Sequence, residues 1–281
     1  MVLVHLVNAF AKTPHGGNPA GVCLDQGLSD ANMQNIAAQV GFSETAFVMD
    51  SRKADGRVRF FTPVTEVDLC GHATIALYTV MRNRKVIKPG EYTQETRAGI
   101  LAVQVACDTV WMDQKPPQYL GMLDKSVVAC LGLKSSDLVD LPIEVVDTAL
   151  PTIIVPVRSL DTLLHAAPDG KKVGELNSAY GNGLLYAFSL ETLHPSTAHG
   201  RMFAPNLGIP EESATGLANG ALACYLRKHV LERQAGFVFE QGYAMNRPSE
   251  ILARLKVVDG VIKRVSVGGS ALIKGQLEVE P

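Results

Sequence analysis

The sequence predicts an α+β protein made of two similar halves, each a curved sheet around one buried helix. Three observations predict it. Short β-branched runs bounded by Gly, Pro, Asn or Asp recur along the chain, as expected of many short strands. Two segments, 72–82 and 216–227, have helical character yet are apolar nearly all round. A helix without a polar face is buried on every side. Both segments are also approached in the same way. Arg59-Phe60-Phe61-Thr62-Pro63 precedes the first and Arg201-Met202-Phe203-Ala204-Pro205 the second, with the prolines 142 positions apart in a chain of 281 residues. That spacing points to an internal duplication.

The elements follow in order. Strands are expected at 2–7, 21–24, 45–49, 58–61, 91–96, 101–105 and 110–112. A second set is expected at 143–146, 152–157, 184–189, 201–203, 236–239, 251–257 and 261–267. One surface helix has a full set of signals. Ser29 is a suitable N-cap, Met33, Ile36, Ala37 and Val40 form one apolar stripe, and Gly41 suits the C-terminal cap. Gly41 to Val48 has an echo in Gly181 to Phe188, a second sign of the duplication. Pro116-Pro117 interrupts the strand pattern and marks the boundary. The halves are therefore 1–115, completed by a strand at 272–281, and 116–271.

Composition excludes several classes. The hydrophobic fraction of 47% and charged fraction of 19% describe a globular chain, not a disordered one. A net charge of -2 leaves no electrostatic footprint for nucleic acid or an anionic membrane. The five cysteines are scattered, odd in number and without a CxxC pair, so neither a disulfide framework nor a zinc signature is present. Residues 1–10 lack a basic region and read as a strand rather than a signal peptide. No apolar run approaches the ~20 residues of a membrane span. The expectation is a soluble, cytoplasmic protein whose partner is a small molecule. No metal, nucleotide or other cofactor motif appears.

The candidate chemistry gathers at the two helix starts. Gly71 and Gly216 lie in the first turns of the buried helices, where unpaired N–H groups and positive partial charge attract an anion. Ala73, Thr215 and Leu217 flank the same turns. Glu44, at a loop–strand junction, is a candidate acid or base with its pKa raised by partial burial. His72 opens an otherwise apolar helix and can serve proton transfer or substrate contact. Cys70 precedes the positive helix end, which is expected to lower its pKa, and Ser213 is read as its counterpart. Asn18, in Gly16-Gly17-Asn18-Pro19, can project an amide toward a ligand.

These residues resemble those of the PhzF-like isomerases, relatives of diaminopimelate epimerase. The carriers are Gly17-Asn18-Pro19-Ala20, Ser43-Glu44-Thr45, Arg59 to Pro63, Cys70-Gly71-His72-Ala73-Thr74, Glu95-Thr96-Arg97-Ala98-Gly99, Gly208 to Gly216 and Gly242 to Pro248. The resemblance implies a diaminopimelate epimerase-like fold of two pseudo-symmetric halves, each a barrel-like, mostly antiparallel sheet around a central buried helix, with the active site between them. It implies cofactor-independent acid/base chemistry on a small carboxylate-bearing metabolite, and it is compatible with a homodimer. The family's catalytic glutamate falls on Glu44 and its histidine on His72. Its carboxylate-binding amides fall near Gly71, His72, Gly216 and Leu217.

The chain departs from the phenazine-forming members at two places, with Glu212 for their Asp and Leu217 for their Ser. Glu212 is a candidate acid with a longer reach, and the expected substrate moves away from the aminobenzoate type. Alternatives are a racemase, epimerase or dehydratase dependent on Cys70, or a small-anion binding protein without chemistry.

Overall fold

The computed structural model describes all 281 residues, Met1–Pro281. The chain divides into two compact units, Met1–Asp113 with Gly268–Pro281, and Gln114–Val267. No helix is long and apolar enough to cross a membrane.

The first unit runs β1 (Val2–Ala9), β2 (Asn18–Cys23), α1 (Asp30–Val40), β3 (Glu44–Met49), β4 (Gly56–Phe61), β5 (Glu66–Val67), α2 (Gly71–Asn83), β6 (Gly90–Thr96), β7 (Gly99–Val105) and β8 (Val110–Gln114). The C-terminal strand Ala271–Val279 returns to it and pairs antiparallel with β1. On the other side β1 pairs antiparallel with β2, and β2 pairs parallel with β3. Next, β4 is antiparallel to both β3 and β5 and parallel to β6, which is antiparallel to β7.

Helix α1 has the ends its sequence specifies. Ser29 accepts the Asn32 N–H, and Gly41 adopts φ 68°, the left-handed conformation that glycine tolerates. Met33, Ile36 and Ala37 face a core that holds Val4, Phe47 and Phe61. Phe47 and Phe61 meet edge to face at 5.6 Å, an arrangement that contributes about 0.5–1.5 kcal/mol beyond area burial. Helix α2 is buried from Gly71 through Val80 and packs against β1, β2, β3 and β7. It lacks a polar face because it has no solvent side over those ten residues.

The second unit runs β9 (Gln118–Leu123), β10 (Ile143–Asp147), β11 (Pro151–Pro156), α3 (Leu160–His165), α4 (Gly170–Ala179), β12 (Leu184–Ser189), β13 (Ala198–Ala204), β14 (Ile209–Glu212), α5 (Gly216–His229), β15 (Gly236–Gln241), β16 (Ser249–Val258) and β17 (Val261–Gly269), which is followed by the strand Ala271–Val279, β18. Its pairing repeats that of the first unit. β10 and β11 are antiparallel, and β11 and β12 are parallel. β13 is antiparallel to β12 and β14 and parallel to β15, and β15 is antiparallel to β16. Helix α5 sits between β14 and β15 in sequence, as α2 sits between β5 and β6, and packs against β10, β11 and β16.

The repeated Arg-x-Phe approach has a structural cause. Arg59 on β4 makes a two-pronged bond to Glu66, with Nε and Nη2 at 2.8 and 2.7 Å. Arg201 on β13 does the same to Glu211 at 2.8 and 2.9 Å. Each guanidinium also stands 5.0 Å from the ring two residues on, Phe61 or Phe203. A bidentate arginine pair fixes direction as well as distance. In both units it ties the strand before the buried helix to the short strand that leads into it.

Candidate active site

In the first unit a left-handed turn brings the chain into place. Gly17 has φ 84°, and a Cβ there would meet the Ala9 carbonyl oxygen at 2.6 Å. Only glycine suits the position. It delivers Asn18 as the first residue of β2. Glu44 is the first residue of β3, and the parallel register sets it beside Ala20. Cys70 is the N-cap of α2 with φ -139° and ψ 118°, but its side chain makes no capping bond. The first helical N–H groups, from Gly71 through Ala73, have no intrahelical acceptor by helix geometry.

These elements converge on His72. Its Nε2 lies 3.2 Å from Glu44 Oε2 and 3.3 Å from Ser43 Oγ. Its Nδ1 lies 3.2 Å from Asn18 Nδ2 and 3.4 Å from Cys70 Sγ. His72, Cys70 and Glu44 are 4%, 7% and 8% exposed, so all three interact outside bulk water. The Glu44–His72 contact is a close ion-pair approach rather than an aligned hydrogen bond, since Oε2 has no hydrogen-bond partner of good geometry.

The electrostatics differ from the sequence expectation in two respects. Burial raises the Glu44 carboxyl, but the His72 ring, the Ser43 hydroxyl and the Cys70 thiol outweigh it, so its pKa is lowered rather than raised. Burial and the neighbouring Glu44 carboxylate push the Cys70 thiol up to about 11 rather than down. The helix end is too weak to reverse that desolvation. Burial also opposes charge on His72, yet the Cys70 sulfur and the Glu44 carboxylate together hold its pKa well above 6.5. The Cys70 sulfur is the larger of these two influences and the Glu44 carboxylate the second. The Asn18 side-chain amide stands beside Nδ1 on the other side of the ring.

The second unit places Glu212, Thr215, Gly216 and Leu217 together at the start of α5. Thr215, not Ser213, is the N-cap. The helix starts therefore align Cys70-Gly71-His72 with Thr215-Gly216-Leu217, which corrects the expected pairing of Cys70 with Ser213. The cause is length: the path from Pro205 to α5 contains an extra one-turn helix, Pro205–Leu207. Thr215 Oγ1 donates to Glu212 Oε2, and the Thr215 N–H donates to Gln241 Oε1 at 3.2 Å. Gln241 Nε2 donates to the Glu212 carbonyl at 2.8 Å. Asn219 Nδ2 donates to the Thr215 carbonyl and to Gln241 Oε1, both at 2.9 Å, while the Tyr186 hydroxyl donates to Asn219 Oδ1.

Gly242 closes this loop at φ 82°, where a Cβ would meet the Arg247 and Ser213 carbonyl oxygens at 2.3 and 2.5 Å. Gln241, Asn219 and Tyr186 were not singled out by the sequence. The available signal was Asn219, a polar residue one turn after Thr215 inside an otherwise apolar helix.

Comparisons with known proteins bear on the family and the fold. The profile of the phenazine biosynthesis-like protein family matches residues 7–275. The uncharacterized isomerase YfhB of Bacillus subtilis is 34% identical over 94% of either chain. A trans-2,3-dihydro-3-hydroxyanthranilate isomerase of Pseudomonas fluorescens is 29% identical over 96% of either chain. The crystal structure of a PhzF-family phenazine biosynthesis protein of Bacillus anthracis superposes with a TM-score of 0.92 at 32% identity, covering 100% of this chain and 99% of that one. A probable proline racemase of Agrobacterium radiobacter shares the fold at a TM-score of 0.67 and 13% identity, over 100% of this chain and 93% of that one.

Proposed function

Because the chain belongs to the phenazine biosynthesis-like (PhzC–PhzF) family of isomerases, we propose that it relocates a proton on a small carboxylate-bearing metabolite, with Glu44 as the acid/base. The observation that carries the reading is the buried Glu44 carboxylate 3.2 Å from His72 at the start of α2. A carboxylate kept ionised is in the form that accepts a proton. A substrate C–H bond breaks, its proton passes to Glu44, and the electron pair enters the conjugated system of the substrate. Returning that proton to a different carbon completes the isomerisation. Electrons balance without an oxidant or reductant, so the reading needs no cofactor.

A carboxylate with a lowered pKa is a weak base, so the carbanion-like state must itself be stabilised. The positive start of α2 and the His72 imidazolium supply that charge in a site removed from water. In the second unit, the first N–H groups of α5, at Gly216 and Leu217, offer an anion-binding set of the same kind. Asn18, Ala73 and Thr215 shape these two helix starts. Glu212, held by the Thr215 hydroxyl, is a second candidate proton carrier. The substrate of the P. fluorescens relative sets the chemical class to test first, a cyclic unsaturated carboxylate. The test is solvent-deuterium incorporation into such substrates. Glu44→Gln is expected to slow it by about 10²–10⁴-fold, the usual worth of a positioned acid/base. Undiminished incorporation would remove Glu44 from the role.

A second reading, Cys70-dependent racemisation or epimerisation, is supported by the 3.4 Å approach of Cys70 Sγ to His72 Nδ1. The raised thiol pKa weighs against it, because a thiol is a poor base. Full activity in Cys70→Ala would end this reading.

A further inference from the structure

Glu44 opens β3 while Cys70 and His72 stand two residues apart at the start of α2, yet the three donor atoms all lie within 4.8 Å of one another, and all three residues are buried. We infer that this triad is a site for one Zn2+-class ion, and that occupancy silences the acid/base chemistry. The second half of that inference rests on the Glu44 reading above, while the first stands on geometry alone.

Zn2+ takes thiolate, imidazole and carboxylate ligands at about 2.3, 2.0–2.1 and 2.0–2.2 Å, so tetrahedral neighbours stand roughly 3.3–3.6 Å apart. His72 Nε2 is 3.2 Å from Glu44 Oε2 and 3.9 Å from Cys70 Sγ. Both separations from the ring are within a few tenths of an ångström of that range, and the third, Cys70 to Glu44, is no more than 4.8 Å. Glu44 Oε2 is buried without a hydrogen-bond partner of its own, a state that a cation relieves directly. Asn18, beside Nδ1 at 3.2 Å, stands where the outer partner of a ligating histidine normally stands. The mixed set of one sulfur, one nitrogen and one oxygen suits Zn2+ or Co2+ and is poor for Mg2+ or Ca2+, which prefer oxygen. Three protein ligands leave a fourth position for water or a substrate carboxylate. An ion held there occupies both the carboxylate that would take the proton and the ring that stabilises its charge.

The test uses the tag-free protein, stripped with a chelator and titrated with Co2+. The expected result is a thiolate-to-cobalt charge-transfer band that saturates at one ion per chain and disappears when Zn2+ is added. The exposed Cys107 is the control, and Cys107→Ser keeps the band. Cys70→Ser and His72→Gln weaken Zn2+ binding by at least about 10–100-fold, the loss that even an outer partner produces. A wild-type protein with no such band at saturating Co2+ overturns the site, whatever the variants do. Binding is measured without substrate, so a failure of the isomerase reading does not affect it. If Glu44→Gln abolishes deuterium incorporation but wild-type protein loaded with Zn2+ still turns over, the silencing role is overturned.

Discussion

The start of α2 and the start of α5 occupy the same place in two units of repeated topology, and they are built from different chemistry. Around α2 stand Glu44, His72 and Cys70, three buried groups that can carry a proton. Around α5 stand Gln241, Asn219, Thr215 and Tyr186, neutral groups locked by mutual hydrogen bonds, with one carboxylate, Glu212, tied to the Thr215 hydroxyl. Duplication kept the scaffold, down to the paired arginine clamps, while the residues at the helix starts diverged. One start is suited to moving protons and the other to presenting a fixed set of N–H groups. A buried neutral network resists rearrangement because each broken bond strands a polar atom. A buried ion pair responds to pH and to ligands.

The largest expected difference lies in the clamps. Arg201 is 6% exposed and also donates to the carbonyls of Leu163 and Ala166. Its loss in Arg201→Ala leaves Glu211 and these carbonyls unpaired and should lower stability by about 3–5 kcal/mol, as for other broken buried pairs. Arg59→Ala strands Glu66, which is as buried as Glu211, but the other acidic partner, Asp30, is 81% exposed and rehydrates, so a smaller loss of about 2–3 kcal/mol is expected. Urea midpoints measured side by side check this. Equal losses would show that the Leu163 and Ala166 carbonyls add nothing to the second clamp.

Next comes the neutral network. Gln241→Ala strands the Thr215 N–H and shortens the bonding of Asn219, with an expected loss of about 1–3 kcal/mol. The loss should vary with pH less than that of His72→Gln, because no titrating group is removed and the network meets a charge only through Thr215 at Glu212. A pH dependence as steep as that of His72→Gln would contradict this.

The first unit should behave in the opposite way. Glu44 has its pKa lowered from 4.5, so its contribution is present above that value and disappears as pH falls through the folded value. His72 has its pKa raised from 6.5, so its contribution is complete below 6.5 and disappears as pH rises through the folded value. The pair therefore contributes most between these two ordinary values. Thermal melts of the wild type against His72→Gln should diverge most there and converge toward alkaline pH. A constant difference would contradict the ion pair.

The smallest effect is local. Ser29→Ala removes the cap of α1 and should lower stability by about 1 kcal/mol, without altering the pH profile of either unit.

Much of this was legible in the sequence wherever the signal was local. The ends of α1 follow from Ser29, Gly41 and one apolar stripe. The two central helices showed themselves by lacking a polar face, and the duplication by Arg59 and Arg201 with their phenylalanines and prolines. Other elements left no such trace. β9 follows two prolines and is exposed over Gln118–Met122, so it has no alternation to read. α3 has only six residues, and in α4 only Val173 and Asn177 are buried, too little for a stripe. The direction of the Glu44 shift was illegible for another reason. It depends on His72, 28 positions away, and burial alone predicts the opposite sign. Gln241 was invisible because its importance comes from register: the end of β15 lies beside the start of α5.

The most direct test of the charged start against the neutral one is the protonation state of His72. Nitrogen-15 shifts of its ring, assigned by comparison with His72→Gln, report that state in the intact protein. The account predicts an imidazolium at pH 7 that loses its proton above 6.5, and a lower ring pKa in Glu44→Gln than in the wild type. A ring already neutral at pH 7 in the wild-type protein would contradict it.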